Sequence, residues 1–240
     1  MPDRAALVTG ASSGIGLAIA HALGEEGYGL TVAARRPEKL TAAADELRAA
    51  GYAVEEVAAP LSEEDAVKHV VERHRERYGR LDVLVNSAGL GLGSPIADAP
   101  TKRIDLQLDV NLRAIVLFYR ECVDLLKAAG AEHRNALVVN LSSIAGKSGE
   151  AWLSVYSASK AGVVGFTQAM NRELNGEGVK SVALCPAFVD TPMTEFVKEH
   201  VPAEDMIRTE DIAEAVRFLL KTSPACVVPE IVFQRLGESL

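Results

Sequence analysis

At 240 residues, with 48% hydrophobic and 24% charged residues, the chain can form one α/β domain with a large core. Its formal net charge of −8 argues against a nucleic-acid partner, which would require a basic face. No secretory signal pattern and no run of about eighteen apolar residues is present. We therefore expect a cytoplasmic protein that does not contact a membrane.

The cysteines carry little functional signal. Cys122, Cys185 and Cys226 are far apart, and their spacing is not typical of a metal site or a redox pair. We expect three reduced thiols, buried or half-buried, and no bound metal.

Short apolar runs alternate with helical patterns along the whole chain. Strands are predicted at 5–8, 30–34, 52–59, 81–86, 136–141, 179–185 and 227–233. Helices are predicted between them: one ends at Gly27, one is capped at Ser62, and others span 38–50, 104–129, 153–174 and 209–221. This alternation predicts a doubly wound parallel sheet of about seven strands, with helices on both faces and residues 1–240 in a single domain.

The first predicted strand leads into a glycine-rich turn. Glycine lets a backbone approach a pyrophosphate closely, and the following helix offers free N–H groups and a positive dipole end. The sequence therefore predicts a Rossmann-type dinucleotide site, although an ordinary glycine-rich turn is the alternative. The residues expected to bind the cofactor here are Gly10, Ser12, Ser13, Gly14, Ile15 and Gly16.

The end of the second strand indicates which dinucleotide is bound. An acidic residue there would hold the ribose hydroxyls of NAD, but this chain has Arg35 and Arg36. Arginine suits the 2′-phosphate of NADP by charge and by stacking under adenine. We predict NADP(H) rather than NAD; two solvated arginines are the alternative.

Tyr156 and Lys160 are four residues apart, so on a helix they share one face. A neighbouring ammonium group favours the phenolate and would lower the pKa of the tyrosine, which makes a proton donor or acceptor for an oxygen atom. Taken alone, the pair also fits a packed tyrosine beside a solvated lysine.

Six motifs occur in order along nearly the whole chain. They are the turn 9–16, Asn86-Ser87-Ala88-Gly89, Asn111, Asn140-Leu141-Ser142-Ser143, Tyr156-Ser157-Ala158-Ser159-Lys160, and Pro186 with Thr191. With this order and spacing, the sequence resembles the short-chain dehydrogenase/reductase family, in its compact subgroup.

The resemblance implies a role for each matching residue. Tyr156 would be the general acid in carbonyl reduction, Lys160 would lower its pKa and bind the nicotinamide ribose, and Ser143 would bind the substrate oxygen. Asn111 would hold a water that links Lys160 to a proton relay. Besides Tyr156 and Lys160, further cofactor contacts would be Asn86, Ala88, Gly89, Pro186, Val189 and Thr191, although Asn86 and Gly89 could instead stabilise the sheet.

The chain departs from the family pattern at several positions. Pro60 stands near where the family has an aspartate, and Ala187 replaces a glycine after the sixth strand. The stretch 192–208 is short, which suggests a small lid. The loops 90–100, 145–153 and 186–208 would form the substrate pocket, and their apolar residues suggest a hydrophobic substrate.

These patterns predict an NADP(H)-dependent oxidoreductase that reduces a ketone or aldehyde to an alcohol. An NAD-dependent alcohol dehydrogenase and a non-catalytic NADP-binding sensor are the alternatives. We also expect a homodimer or homotetramer formed through the helices at 104–129 and 153–175, although the C-terminus lacks the glycine-rich ending common in the family.

Overall fold

The computed structural model describes residues 2–237, and its centre is one parallel sheet of seven strands. The strands are β1 (Ala5–Thr9), β2 (Gly29–Ala34), β3 (Val54–Ala58), β4 (Val83–Asn86), β5 (Ala136–Leu141), β6 (Val179–Pro186) and β7 (Glu230–Phe233). Their order in the sheet is β3-β2-β1-β4-β5-β6-β7, so the strand order reverses between the parallel neighbours β1 and β4. Ligands of such sheets bind at this switch point, outside the carboxyl ends of the strands.

Helices cover both faces of the sheet, which confirms the predicted fold class. They are α1 (Gly14–Glu25), α2 (Pro37–Ala49), α3 (Glu64–Tyr78), α4 (Thr101–Leu108), α5 (Ala114–His133), α6 (Ser154–Leu174) and α7 (Thr209–Lys221). One buried core joins the sheet to α1, α2 and α7. A second core joins its other face to α3, α5 and α6. None of the described helices is long and apolar enough to cross a membrane.

Three local predictions were wrong. The helix expected at 104–129 is interrupted by a π-helical turn at Asp109–Arg113, because its hydrogen bonds shift register there. The helix expected to be capped by Ser62 begins one residue later than that cap requires, with Glu63 at the N-cap. Cys226 is exposed because it lies in the loop between α7 and β7, whereas Cys122 and Cys185 are buried.

Candidate active site

The turn between β1 and α1 has no room for side chains at its glycines. A Cβ atom on Gly10, whose φ is 69°, would lie 2.7 Å from the main-chain nitrogen of Ala88. On Gly16 it would lie 2.5 Å from the carbonyl oxygen of Gly10, and on Gly14 3.1 Å from the Thr191 methyl group. Helix α1 begins in this turn and receives no side-chain cap from Ser13. The turn therefore presents bare backbone and a helix N-terminus, which suits a pyrophosphate.

Thr9 joins this turn to the segment after β4. Its hydroxyl oxygen accepts hydrogen bonds from the main-chain nitrogens of Ser87 (3.1 Å) and Ala88 (3.2 Å) and donates to the carbonyl oxygen of Val85 (3.3 Å). The two loops at the switch point are thus fixed to each other. The sequence pattern did not predict this role of Thr9, although its position directly before the first glycine of the turn could have indicated it.

Arg35 and Arg36 follow β2 at the same edge of the sheet, and both side chains are exposed. Within residues 2–237, neither guanidinium group forms a salt bridge or a side-chain hydrogen bond with the rest of the protein. Each therefore keeps its charge and its donors for an anionic ligand. At the neighbouring position after β3, Pro60 is exposed and supplies no carboxylate.

Lys160 lies almost fully buried on α6, with 4% of its surface exposed. Its Nζ donates to the carbonyl oxygen of Leu141 at 2.7 Å and lies 5.7 Å from the centre of the Tyr156 ring. Burial lowers the pKa of Lys160 to about 8 because the charged form loses its hydration. A Cβ on Gly89 would lie 3.6 Å from Nζ, so the ammonium group faces the segment after β4.

Tyr156 does not have the lowered pKa that its spacing from Lys160 predicted. Burial raises the pKa of the phenol, and the neighbouring Ser143 side chain lowers it by less. Lys160 has no effect of comparable size, because its Nζ is bound to Leu141 and lies over the ring. The phenol of the protein alone is therefore protonated at neutral pH, which is the form that donates a proton.

The structure distinguishes the two neighbouring serines. Ser142 is buried, and its hydroxyl donates to the carbonyl oxygen of Lys160 at 2.8 Å. Ser143 is half-buried, contacts Tyr156, and its hydroxyl is a long 3.4 Å from the carbonyl oxygen of Pro186. Ser143 is thus the serine placed to meet a ligand beside the phenol.

Asn111 is fully buried in the π-helical turn and binds the backbone of Leu90 in both directions. Its Oδ1 accepts from the Leu90 nitrogen at 2.8 Å, and its Nδ2 donates to the Leu90 oxygen at 2.9 Å. The other N–H of Nδ2 bonds the hydroxyl of Ser159 at 3.2 Å. Both side-chain N–H groups are therefore used within the protein, so any water held by this side chain would have to bond Oδ1.

Asn86 lies inside the sheet and begins a buried polar chain. Its Nδ2 donates to Asn140 Oδ1 at 2.8 Å, and Asn140 Nδ2 donates to the Thr167 hydroxyl at 3.0 Å. The Oδ1 of Asn86 is buried without a hydrogen-bond partner. The geometry therefore favours the sheet-stabilising alternative for Asn86, while its Oδ1 remains available as an acceptor.

The segment after β6 returns to the glycine turn without strain. Val189 is buried and forms a bridge with Ile207, and Thr191 packs its methyl group near Gly14. Ala187 does not adopt a positive φ, and its nitrogen donates to the carbonyl oxygen of Phe233 at 2.9 Å. An alanine is therefore accommodated where the family has glycine.

Two of the three expected substrate loops, 90–100 and 145–153, meet beside Tyr156. A Cβ on Gly91 would lie 3.8 Å from the Tyr156 ring, and the nitrogen of Ser94 donates to the carbonyl oxygen of Trp152 at 2.8 Å. Trp152 and Phe196 are 69% and 77% exposed, so these loops carry apolar side chains on their surface. Such a surface suits a partly hydrophobic substrate.

Comparisons with known proteins agree with these features. The profile of the short chain dehydrogenase family matches residues 4–202. A Streptomyces coelicolor protein described provisionally as a ketoacyl reductase is 37% identical over 248 residues, which cover 95% of this chain and 94% of its own. The 3-oxoacyl-acyl-carrier-protein reductase of Thermotoga maritima is 30% identical over 240 residues, covering 97% and 96%. A crystal structure of an actinorhodin polyketide ketoreductase variant with NADPH is 34% identical, with a TM-score of 0.87 and 95% of each chain covered. The chain therefore belongs to the short-chain dehydrogenase family, as its motifs predicted.

Proposed function

We propose that this enzyme uses NADPH to reduce the ketone of a 3-oxoacyl compound to a hydroxyl group. The observation that carries the proposal is the placement of the Tyr156 phenol beside Ser143, with the buried Lys160 Nζ 5.7 Å from its ring centre. The substrate class is supported by the two relatives and the solved structure, whose names describe ketoacyl or polyketide ketone reduction. The apolar loops around Trp152 fit the acyl part of such a compound.

The residues of this chain would act on the substrate oxygen. Bound NADPH supplies the hydride. Tyr156 donates its proton to the oxygen as negative charge develops there, and the Ser143 hydroxyl provides a second donor. Lys160 lies on the same helix face, but its ammonium group is held by Leu141 and does not lower the pKa of the phenol in the protein alone, so we assign it to the nicotinamide ribose.

The cofactor would bind along the carboxyl ends of the strands. The turn at residues 10–16 holds the pyrophosphate, and Arg35 and Arg36 bind the 2′-phosphate. Lys160 uses one donor on Leu141, so its remaining donors can bind the nicotinamide ribose. The contacts proposed for the nicotinamide end are those implied by the family motifs: Asn86, Ala88, Gly89, Pro186, Val189 and Thr191.

The function is tested by following NADPH oxidation with a 3-oxoacyl thioester of coenzyme A and with simple ketones. Tyr156→Phe should lower kcat by roughly 10²–10⁴, a usual general-acid contribution, and leave the dissociation constant of NADPH unchanged. Tyr52→Phe removes a phenol far from the site and serves as the control. Full turnover by Tyr156→Phe would refute the mechanism, and tight NADPH binding without turnover of any substrate by the wild type would favour the sensor alternative.

The cofactor choice is tested separately at Arg35. Arg35→Ala should weaken NADP binding about tenfold, because a charge-assisted contact to the 2′-phosphate is lost, and should leave NAD binding unchanged. Arg77→Ala removes an exposed arginine on α3 and is the matched control. An unchanged ratio of the two dissociation constants would rule out this role for Arg35.

We also propose that the protein is a cytoplasmic homodimer or homotetramer. Leu108 on α4 and Val116 on α5 are more than a third exposed, which supports an interface through the helices at 104–129. Sedimentation velocity of the wild type and of Val116→Glu tests this, since the glutamate should shift the protein toward monomer.

A further inference from the structure

Residues 89–94, here called the glycine segment, are held at three alternate main-chain nitrogens. The nitrogen of Leu90 donates to Asn111 Oδ1 at 2.8 Å and that of Leu92 to Gln107 Oε1 at 2.6 Å. The nitrogen of Ser94 donates to a carbonyl oxygen of the loop at 145–153 at 2.8 Å. The segment therefore has fixed positions on either side of Gly91, the residue that faces the Tyr156 ring.

The first two contacts are possible because the spacing of side chains along a helix matches the spacing of N–H groups along an extended chain. Gln107 and Asn111 are four residues apart, which is about 6 Å along a helix axis. Leu90 and Leu92 are two residues apart, which is about 6.6 Å along an extended chain. Two side-chain amides on one helix face can therefore bind two alternate N–H groups of a segment that runs alongside.

Gln107 is unusual for its environment. Only 1% of its surface is exposed, and the small pocket that it lines is mostly apolar, with Leu92, Ile104 and Val155 beside the polar Ser94 and Arg103. An apolar side chain of similar size could fill this space without desolvating an amide. The glutamine is explained by what it binds, because without it the inward-facing N–H of Leu92 would lose its acceptor.

We infer that Gln107 is a positioning residue for the reaction: through Leu92, it sets the distance between the glycine segment and Tyr156. Gly91 lies against the Tyr156 ring, and Val155, which precedes Tyr156, lines the same small pocket as Gln107. A segment that moved away from α6 would widen the space in which the substrate oxygen must meet the phenol. This inference rests on the proposed function, because Tyr156 must be the proton donor.

The test uses three variants of the full chain. Gln107→Met removes the hydrogen-bond acceptor with little change in volume. Gln107→Glu keeps an acceptor oxygen at the same distance from the main chain. Gln168→Met is the control, because it makes the same glutamine-to-methionine change at an exposed site on α6. The measurements are kcat and KM for a 3-oxoacyl thioester of coenzyme A, the dissociation constant of NADPH, and amide hydrogen exchange at Leu92. Exchange at Leu90, which Asn111 still holds, is the internal reference.

Gln107→Met should speed exchange at Leu92 but not at Leu90, and should lower kcat/KM about tenfold with NADPH affinity unchanged. Gln107→Glu should keep the exchange rate at Leu92 and kcat/KM close to their wild-type values, and Gln168→Met should match the wild type. Wild-type kcat/KM in Gln107→Met despite faster exchange at Leu92 would overturn the inference, as would an equal loss of NADPH affinity. A wild type that reduces no carbonyl compound would instead overturn the proposed function.

Discussion

His74 links a buried contact to a measurable dependence of stability on pH. It is fully buried on α3, with Nδ1 2.8 Å from the hydroxyl oxygen of Thr31 and Nε2 2.8 Å from the carbonyl oxygen of Arg80. A carbonyl oxygen only accepts, so Nε2 carries the proton and Nδ1 accepts from Thr31. A second proton would remove that acceptor, and burial lowers the pKa of His74 to about 4 from its ordinary 6.5.

The size of the effect follows from the two pKa values. Below pH 6.5 the unfolded chain takes up a proton at His74, while the folded protein does not until the pH approaches about 4. The unfolded state therefore binds more protons in this range, and the free energy of unfolding falls as the pH falls. One pH unit corresponds to about 1.4 kcal/mol, so acidification from pH 6.5 to about 5 removes about 2 kcal/mol.

Urea unfolding at about pH 7, 6 and 5 measures this loss. His74→Gln is compared with the wild type and with His69→Gln, which changes an exposed histidine on the same helix. The free energy of unfolding of His74→Gln should fall by about 2 kcal/mol less than that of the other two proteins over this range. Apart from His69 and His74, the titrating groups are common to all three proteins, so they cancel in the comparison. Equal pH slopes for His74→Gln and His69→Gln would refute the reasoning.

Two further predictions test the geometry of the site. Gly10→Ala should weaken NADPH binding more than tenfold, because the new Cβ would lie only 2.7 Å from the Ala88 nitrogen. Gly51 also has a positive φ, of 91°, but a Cβ there would meet no other atom, so Gly51→Ala should lower the stability and leave NADPH binding unchanged. Ser143→Ala should lower kcat/KM about tenfold and leave NADPH binding unchanged. Ser142→Ala removes the hydrogen bond to Lys160, so its main effect should be a loss of about 1 kcal/mol in the free energy of unfolding, as measured by urea titration. If the two variants of a pair had equal effects on NADPH binding or on kcat/KM, the roles given to Gly10 or to Ser143 would be contradicted.

The fold was predictable where burial leaves a direct mark on the sequence. Strand β5 was predicted at 136–141 and has those bounds, because a strand buried on both faces is a continuous apolar run between turns. The glycine turn was also predictable, because Gly10 packs so closely against the main chain of Ala88 that no larger residue fits there. The π-helical turn at Asp109–Arg113 was not, because a shift in main-chain hydrogen bonding leaves the apolar pattern of the helix unchanged.

The sequence predicted that Tyr156 and Lys160 lie together, but it did not predict their electrostatics. The spacing of Tyr156 and Lys160 places them on one helix face, as expected. The direction of the pKa shift of Tyr156 depends on how deeply the ring is buried and on where the Lys160 ammonium group points. Both are properties of the packed structure, so sequence spacing alone gave the wrong sign. The role inferred for Gln107 also requires the folded chain, since its partner Leu92 precedes it in a loop without regular structure.

Three irregular features of the backbone and of the buried polar groups lie at or beside the glycine segment. The π-helical turn carries Asn111, which binds Leu90. Trp152 has a positive φ of 68°, rare for a bulky residue, and its carbonyl oxygen holds Ser94. Just before the segment, Asn86 buries an unpaired Oδ1. Each feature is unfavourable by itself, and regular structure would avoid it. Asn111 and Trp152 thus hold Leu90 and Ser94 on either side of Gly91, which faces the Tyr156 ring, where the proposed chemistry requires a fixed segment.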